Sequence, residues 1–299
     1  VGFVAADASP WPGAIAFYRS PATSGFELNT LAELQATHGE TVFDFYFGPL
    51  YRYDRSNTLR VSLAQGELAS ITEEALLAGG NLAAIENHDG EWEVLQFQTA
   101  ALVAPGTYDL SVLLRGQFGT EAAMRNPVGA GARFLLLDEA VTAVEMTGDD
   151  IGLSLNWRYG PAGEPIDDIA YVTQAHAFTG LGLRPYRPVH LQGKRNPSTG
   201  DWTFFWVRRT RIGGDSWEAN EVPLSEESEL YRLEILDGLG GNVLRAITGI
   251  GEQTYLYTAA DQISDFGTLQ WNVAIRVSEI SARYGAGAFA EQFAYDYQH

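Results

Sequence analysis

Apolar and polar residues alternate with period two along much of this chain, in short runs closed by Gly and Pro. Leu59, Val61 and Leu63 alternate with Arg60 and Ser62, and Tyr108, Leu110, Val112 and Leu114 alternate with Asp109, Ser111 and Leu113. A strand sends successive side chains to opposite faces, so each run packs one face on a core and leaves the other more polar. Ala104-Pro105-Gly106-Thr107 reads as a tight turn leading into the second run. Arg133 to Asp138 is a denser apolar run, as in an inner strand. Ile71 to Gly79 is the one stretch that reads as a helix, short and stopped by Gly79-Gly80. Leu31 to Leu34 reads as a further turn of helix.

The C-terminal part is the most legible. Trp202, Phe204 and Trp206 share one face of Asp201 to Thr210. Tyr231, Leu233 and Ile235 share a face opposite Arg232 and Glu234. Trp271, Val273, Ile275 and Val277 share a face of Gln270 to Ser278. These spacings suit a β-sandwich. With a Trp in the second strand and a Tyr in the third, residues 185–285 resemble a fibronectin type III domain. Strand assignment at the last edge, after Tyr284, is poor. The run Thr179 to Pro188, punctuated by Gly180, Gly182, Pro185 and Pro188, sets the main boundary near Gly180, with a weaker one near residue 55. The expected fold class is mainly β: an N-terminal β-barrel or β-sandwich region over 56–180, then a fibronectin type III-like sandwich over 181–289. Residues 1–55 are read as the end of a preceding domain and 290–299 as a tail.

Length and composition agree with two folded domains. The chain has 299 residues, 45% of them hydrophobic, enough for real cores and too much for a disordered chain. The formal net charge is -19 and the pI about 4.5, which argues against a nucleic-acid surface, since counterion exchange with phosphate needs a positive footprint. There is no cysteine, which excludes disulfides, thiol catalysis and Cys-ligated zinc. No apolar run reaches the ~18 residues of a membrane helix. Lys194 is the only lysine, as GC-rich coding would give. The chain opens Val1-Gly2-Phe3, read as a cut point inside a larger polypeptide, the alternative being a processed terminus.

Candidate chemistry is sparse. His38, His88, His176, His190 and His299 are too far apart in sequence for a local zinc motif. The acid doublets Glu73-Glu74, Asp149-Asp150, Asp167-Asp168 and Glu226-Glu227 point opposite ways on extended chain. They read as solvated turns and not as the facing pair of a glycosidase. Gly214-Asp215-Ser216 echoes a protease tripeptide, but Trp217 follows where Gly is expected and no G-x-S-x-G elbow exists. Gly129-Ala130-Gly131 and Gly180-Leu181-Gly182 lack the rest of a phosphate loop. Arg208, Arg209 and Arg211 form a basic cluster. It reads first as paired within the domain to acids such as Glu218, Glu221 and Glu227, and second as a dock for an acidic partner. Trp11, Trp92, Trp157 and Trp217 are candidates for a carbohydrate platform, against the usual reading of Trp as core. No catalytic, cofactor-binding or metal-binding residue is assigned, no cofactor is expected, and the segment is not expected to be an enzyme.

Several strings go beyond fold class. They are Trp11-Pro12-Gly13, Ala78 to Ala84 (AGGNLAA), Trp92 to Phe97 (WEVLQF), Leu102 to Thr120 (LVAPGTYDLSVLLRGQFGT), Arg133 to Asp138 (RFLLLD), Gly180 to Leu191 (GLGLRPYRPVHL) and Trp206 to Trp217 (WVRRTRIGGDSW). In this order, from about residue 10 to 285, they resemble the C-terminal part of the megatron protein of gene transfer agents and of related siphophage tail-tip proteins. The resemblance implies a large, trimeric virion protein at the tail tip or baseplate. Its upstream portions form the hub, which residues 1–55 would complete, and one upstream domain is glycosidase-related and absent from this segment. Other tail-tip subunits are the implied partners, no catalytic residue carries over, and Ala290 to His299 fall beyond the match. The competing expectation is an adhesin-like module that binds a host-surface glycan.

Overall fold

In the computed structural model, which describes residues 2–214 and 222–295, the chain is mainly β. It divides into two compact units, one ending at Gly182 and one starting at Leu183. The first holds β1 (Gly2–Val4), β2 (Ile15–Ser20), β3 (Glu27–Ala32), β4 (His38–Thr41), β5 (Leu59–Gln65), β6 (Leu82–Glu86), β7 (Trp92–Ala104), β8 (Thr107–Gln117), β9 (Arg133–Leu136), β10 (Thr142–Val144), β11 (Leu155–Pro161) and β12 (Val172–His176), with the helix α1 (Glu73–Leu77). The second holds β13 (Val189–Arg195), β14 (Trp202–Val207), β15 (Tyr231–Leu236), β16 (Val243–Ile250), β17 (Thr254–Tyr257), β18 (Asn272–Ser281) and β19 (Gly285–Tyr295), with the helix α2 (Ala259–Phe266).

Six antiparallel strands of the first unit close into a barrel in the order β4-β5-β8-β7-β6-β9, with β9 pairing back onto β4. The alternation of β5 is the one the sequence shows: Leu59 and Val61 are buried in the barrel core with Ile85, Leu95, Phe97, Leu110 and Phe134. Closure needs β4 and β5 to approach closely. A Cβ on Gly39 would sit 2.1 Å from the carbonyl oxygen of Ser62, so only glycine fits there. The barrel takes β4 from before residue 55, so a division at that point falls inside it.

The second run departs from its sequence pattern. Tyr108 and Leu110 point inward, but beyond them it is Leu113 and Arg115 that are buried, not Val112 and Leu114. Val112 adopts φ 55, a left-handed conformation unusual for a β-branched residue, and the alternation slips by one there. The slip turns the charged Arg115 into the interior.

Helix α1 lies within the stretch read as helical, capped by the Thr72 hydroxyl, which accepts from the Ala75 amide at 3.2 Å. Its far end is satisfied from the barrel wall: Gln96 donates to the carbonyls of Leu76 and Gly80 at 2.7 and 2.8 Å. The helical turn expected at Leu31–Leu34 is instead the end of β3, where Leu31 and Ala32 pair with Ala16 and Ile15.

The barrel is an insertion. The segments on either side of it pair with each other, in a four-stranded sheet of order β12-β11-β2-β3 and in the ribbon β1-β10. Ile15, Phe17 and Ala32 form one small core of this flanking part, and Val144, Leu155 and Trp157 another.

The second unit is a sandwich of a three-stranded sheet, β13-β14-β17, and a four-stranded sheet, β16-β15-β18-β19, all antiparallel. This is the strand order of a fibronectin type III-like fold. Trp202, Phe204, Trp206, Tyr231, Leu233 and Ile235 meet in its core as the alternation requires. Trp206 meets Tyr231 edge-on at 5.3 Å. Trp271 departs from the expected face. It precedes β18, is 68% exposed and lies under the guanidinium of Arg195 at 4.3 Å. The final edge strand, β19, runs to Tyr295, past residue 289 and into the stretch read as a tail. Its alternation is blurred by four alanines and two glycines, which mark no strand by propensity.

Helix α2 is an addition that the sequence reading passed over, although its signals are present. Thr258 and Asp261 form a reciprocal capping box, and Gly267 at φ 75 closes the helix. Asp265 on this helix accepts from Tyr257 at 2.8 Å and from Arg245 at 2.7 and 3.0 Å, pinning α2 to β17 and β16.

Candidate functional site

The loop between β4 and β5 carries an unusual density of aromatic residues: Phe43, Phe45, Tyr46, Phe47, Tyr51 and Tyr53. Phe45 turns inward, and its backbone exchanges two hydrogen bonds with Val128 at 2.8 and 2.7 Å. Phe43, Tyr46, Phe47 and Tyr51 turn outward, as does Phe118 just beyond β8, each between 53% and 61% exposed. Four large aromatic side chains left in water on one loop make it a candidate interaction surface.

The loop is held by a buried charged cluster. Arg115 donates through Nε and Nη2 to both carboxylate oxygens of Glu93, at 2.6 and 2.8 Å, and both side chains are shut off from solvent. Its Nη1 donates to the carbonyl of Tyr46 at 3.0 Å and lies 3.7 Å from Asp54. Its guanidinium sits 3.9 Å from the centre of the Phe45 ring. The backbones of Asp54 and Leu113 exchange hydrogen bonds at 2.8 and 2.9 Å, tying the far end of the loop to β8. Gly48 allows the loop to fold over this cluster, since a Cβ there would lie 2.0 Å from an Asp54 carboxylate oxygen.

Burial pushes the Asp54 carboxyl up, but hydrogen bonds from Asn57 and Ser56 outweigh it and hold the group below its ordinary range. Asp54 and Glu93 thus face a single guanidinium. Burying such ions costs several kcal/mol each before their attraction is counted. The arrangement fixes one loop geometry, which a purely apolar plug would leave less defined.

The residues singled out by the sequence lie elsewhere and are not brought together. Trp157 is buried in a flanking core, and Trp11 packs at the edge of another. Trp92 opens β7, half-buried beneath the guanidinium of Arg133 at 5.3 Å. Trp217, with Asp215, Ser216, Glu218 and Glu221, lies outside the described residues, as does His299. His38 pairs with Asp7 at 2.9 Å, and His88 lies 3.3 Å from Asp89. Among the described residues, no three of His, Asp or Glu gather in a metal-holding group, and no helix is long and apolar enough to cross a membrane.

The basic cluster is engaged within its own unit. Arg211 pairs with Glu226 at 3.0 Å, Arg208 donates to the carbonyls of Val222 and Pro223, and Arg209 lies over Tyr186 at 4.9 Å. Glu226 is therefore no solvated turn residue; its side chain is 2% exposed. It lies near Glu279 of β18, whose carboxyl is pushed up to about 7 by burial and by the charges of Glu226 and Glu229, with Arg208 and Arg211 opposing.

Residues 36–135 match the family model described as Rcc01698-like, C-terminal. The match covers about a third of the chain and runs from just before β4 into β9, so it falls on the closed barrel, the aromatic loop and the Arg115 cluster together. No curated protein matches the chain.

Proposed function

We propose that this chain is a structural component of the tail tip or baseplate of a phage or phage-like gene transfer agent, equivalent to the C-terminal part of a megatron or hub protein. The observation that carries this reading is the family match over 36–135, compatible with a gene transfer agent-related structural protein and confined to the barrel. The geometry supports an architectural role. Two β units offer preformed surfaces, and the aromatic face of Phe43, Tyr46, Phe47, Tyr51 and Phe118 supplies apolar contact area at little entropic cost, because its loop is already held by Arg115. Neighbouring tail-tip subunits, including further copies in a trimer, are the partners in this reading. The segment acts by geometry and not by catalysis, and it works in the virion.

The test is to purify particles from cells carrying an epitope-tagged copy of the gene and to locate the tag by electron microscopy. The tag is expected at one pole of the tail. Purified particles that lack the protein, or that carry it along the tail tube or on the head, would overturn the reading.

A further inference from the structure

The outer wall of the barrel carries a trough whose floor is made of very small side chains. Gly39 of β4, Ser62 and Ala64 of β5 and Ala84 of β6 all open onto it. Its volume is about 1080 Å³, at the top of the roughly 300–1,000 Å³ range of small-ligand pockets, so an extended occupant fits better than a single small molecule. Trp92 and Phe3 give it aromatic walls.

Carboxylates outnumber the basic groups along this trough. Asp7, Glu40 and Asp138 line it as carboxylates, and burial is outweighed at Asp7 by its hydrogen bonds from Gln35 and His38, which hold its carboxyl below the ordinary range. The basic groups present are already engaged: His38 with Asp7 at 2.9 Å, and Arg133 in paired hydrogen bonds with Glu86. An anionic ligand would meet acceptors and unneutralised negative charge. A ligand rich in hydroxyl donors, with apolar C–H faces and no net negative charge, finds acceptors for the first and an indole for the second. The Arg133 guanidinium lies over the Trp92 ring at 5.3 Å, a contact that favours one ring orientation.

We infer that this trough is a binding site for an uncharged oligosaccharide, with Trp92 as the stacking platform and Asp7, Glu40 and Asp138 as hydroxyl acceptors. This adds a recognition activity to the architectural role and stands on separate residues from the aromatic loop.

Calorimetric titration of the full chain tests it, with chitotetraose and cellotetraose as uncharged probes and a heparin tetrasaccharide as the anionic one. Saturable binding of at least one uncharged probe is expected, with none for heparin. Trp92→Ala weakens that binding by about tenfold, the size of effect a buried aromatic anchor commonly gives, and Trp92→Phe restores most of it. Ser62→Trp, at an exposed outward position, fills the trough and abolishes binding while the thermal midpoint stays within a few degrees of the parent chain. Three results would each overturn the proposal: no binding of either uncharged probe, equal binding in Trp92→Ala, or preference for heparin. Capture of an extended peptide in the trough, blocked by Ser62→Trp, would replace the sugar with a protein segment.

Discussion

Arg115 and Phe45 form the joint between the barrel interior and the aromatic loop, guanidinium over ring at 3.9 Å, and both are buried. Arg115 also holds Glu93 with two hydrogen bonds and the Tyr46 carbonyl with a third. Arg115→Leu would leave the Glu93 carboxylate buried without its counter-charge, though the Gly116 amide still donates to it at 3.3 Å. The expected loss is about 3–5 kcal/mol by urea denaturation, with proteolytic cleavage between residues 43 and 57 well below the global transition. The double change Arg115→Leu with Glu93→Leu should cost less than Arg115→Leu alone. An equal or larger loss would show that the charges do not act as a unit.

The outward aromatics should behave in the opposite way. Tyr46→Ser and Phe47→Ser remove side chains that are more than half exposed, so stability should change by no more than about 0.5 kcal/mol. Self-association or assembly into particles should fall, read by light scattering or by the yield of tailed particles. A large loss of stability with association unchanged would mean that these rings serve the fold.

Glu279 gives the sandwich a pH dependence of definite sign. Its carboxyl in the folded chain is pushed up to about 7, from an ordinary value of 4.5. Between those values the folded state holds a proton that the unfolded state has lost. Stability is therefore full below about 4.5 and falls as pH rises to about 7, by on the order of 2–3 kcal/mol. Glu279→Gln should flatten this slope and stabilise the protein at pH 8. A midpoint in Glu279→Gln that tracks the parent chain between pH 5 and 8 would rule the assignment out.

Gly39→Ala tests the close approach of β4 and β5. The added methyl would meet the Ser62 carbonyl, so the two strands must separate. A loss of about 1–3 kcal/mol is expected, as for other overpacked sites. The barrel amides should then lose protection from hydrogen exchange while those of the sandwich keep it.

The sandwich core was legible from the sequence because its strands alternate without interruption: Trp202, Phe204 and Trp206 on one, Tyr231, Leu233 and Ile235 on another. The barrel was legible as strands but not as an insertion. The pairing of β2 with β11, across more than a hundred intervening residues, leaves no local trace. The Arg115 cluster was missed because the period of β8 places Val112 and Leu114 inward. One left-handed residue reversed the faces and hid Arg115, which periodicity placed outside. The aromatic run from Phe43 to Tyr53 was visible as composition, but its exposure follows from the inward turn of Phe45 alone among its neighbours. The trough was out of reach, since Gly39, Ala64 and Ala84 come together only once the strands close.

Closure of the barrel has a mechanical consequence. Among its six strands every one is clamped on both sides, so a pull has no terminal strand to peel away one hydrogen bond at a time. Neighbouring ladders must shear together, and load entering at either flanking segment reaches the ring through β4 and β9, which are zipped to each other at His38 to Glu40. In the proposed tail-tip role such a ring acts as a washer, spreading tension around its circumference.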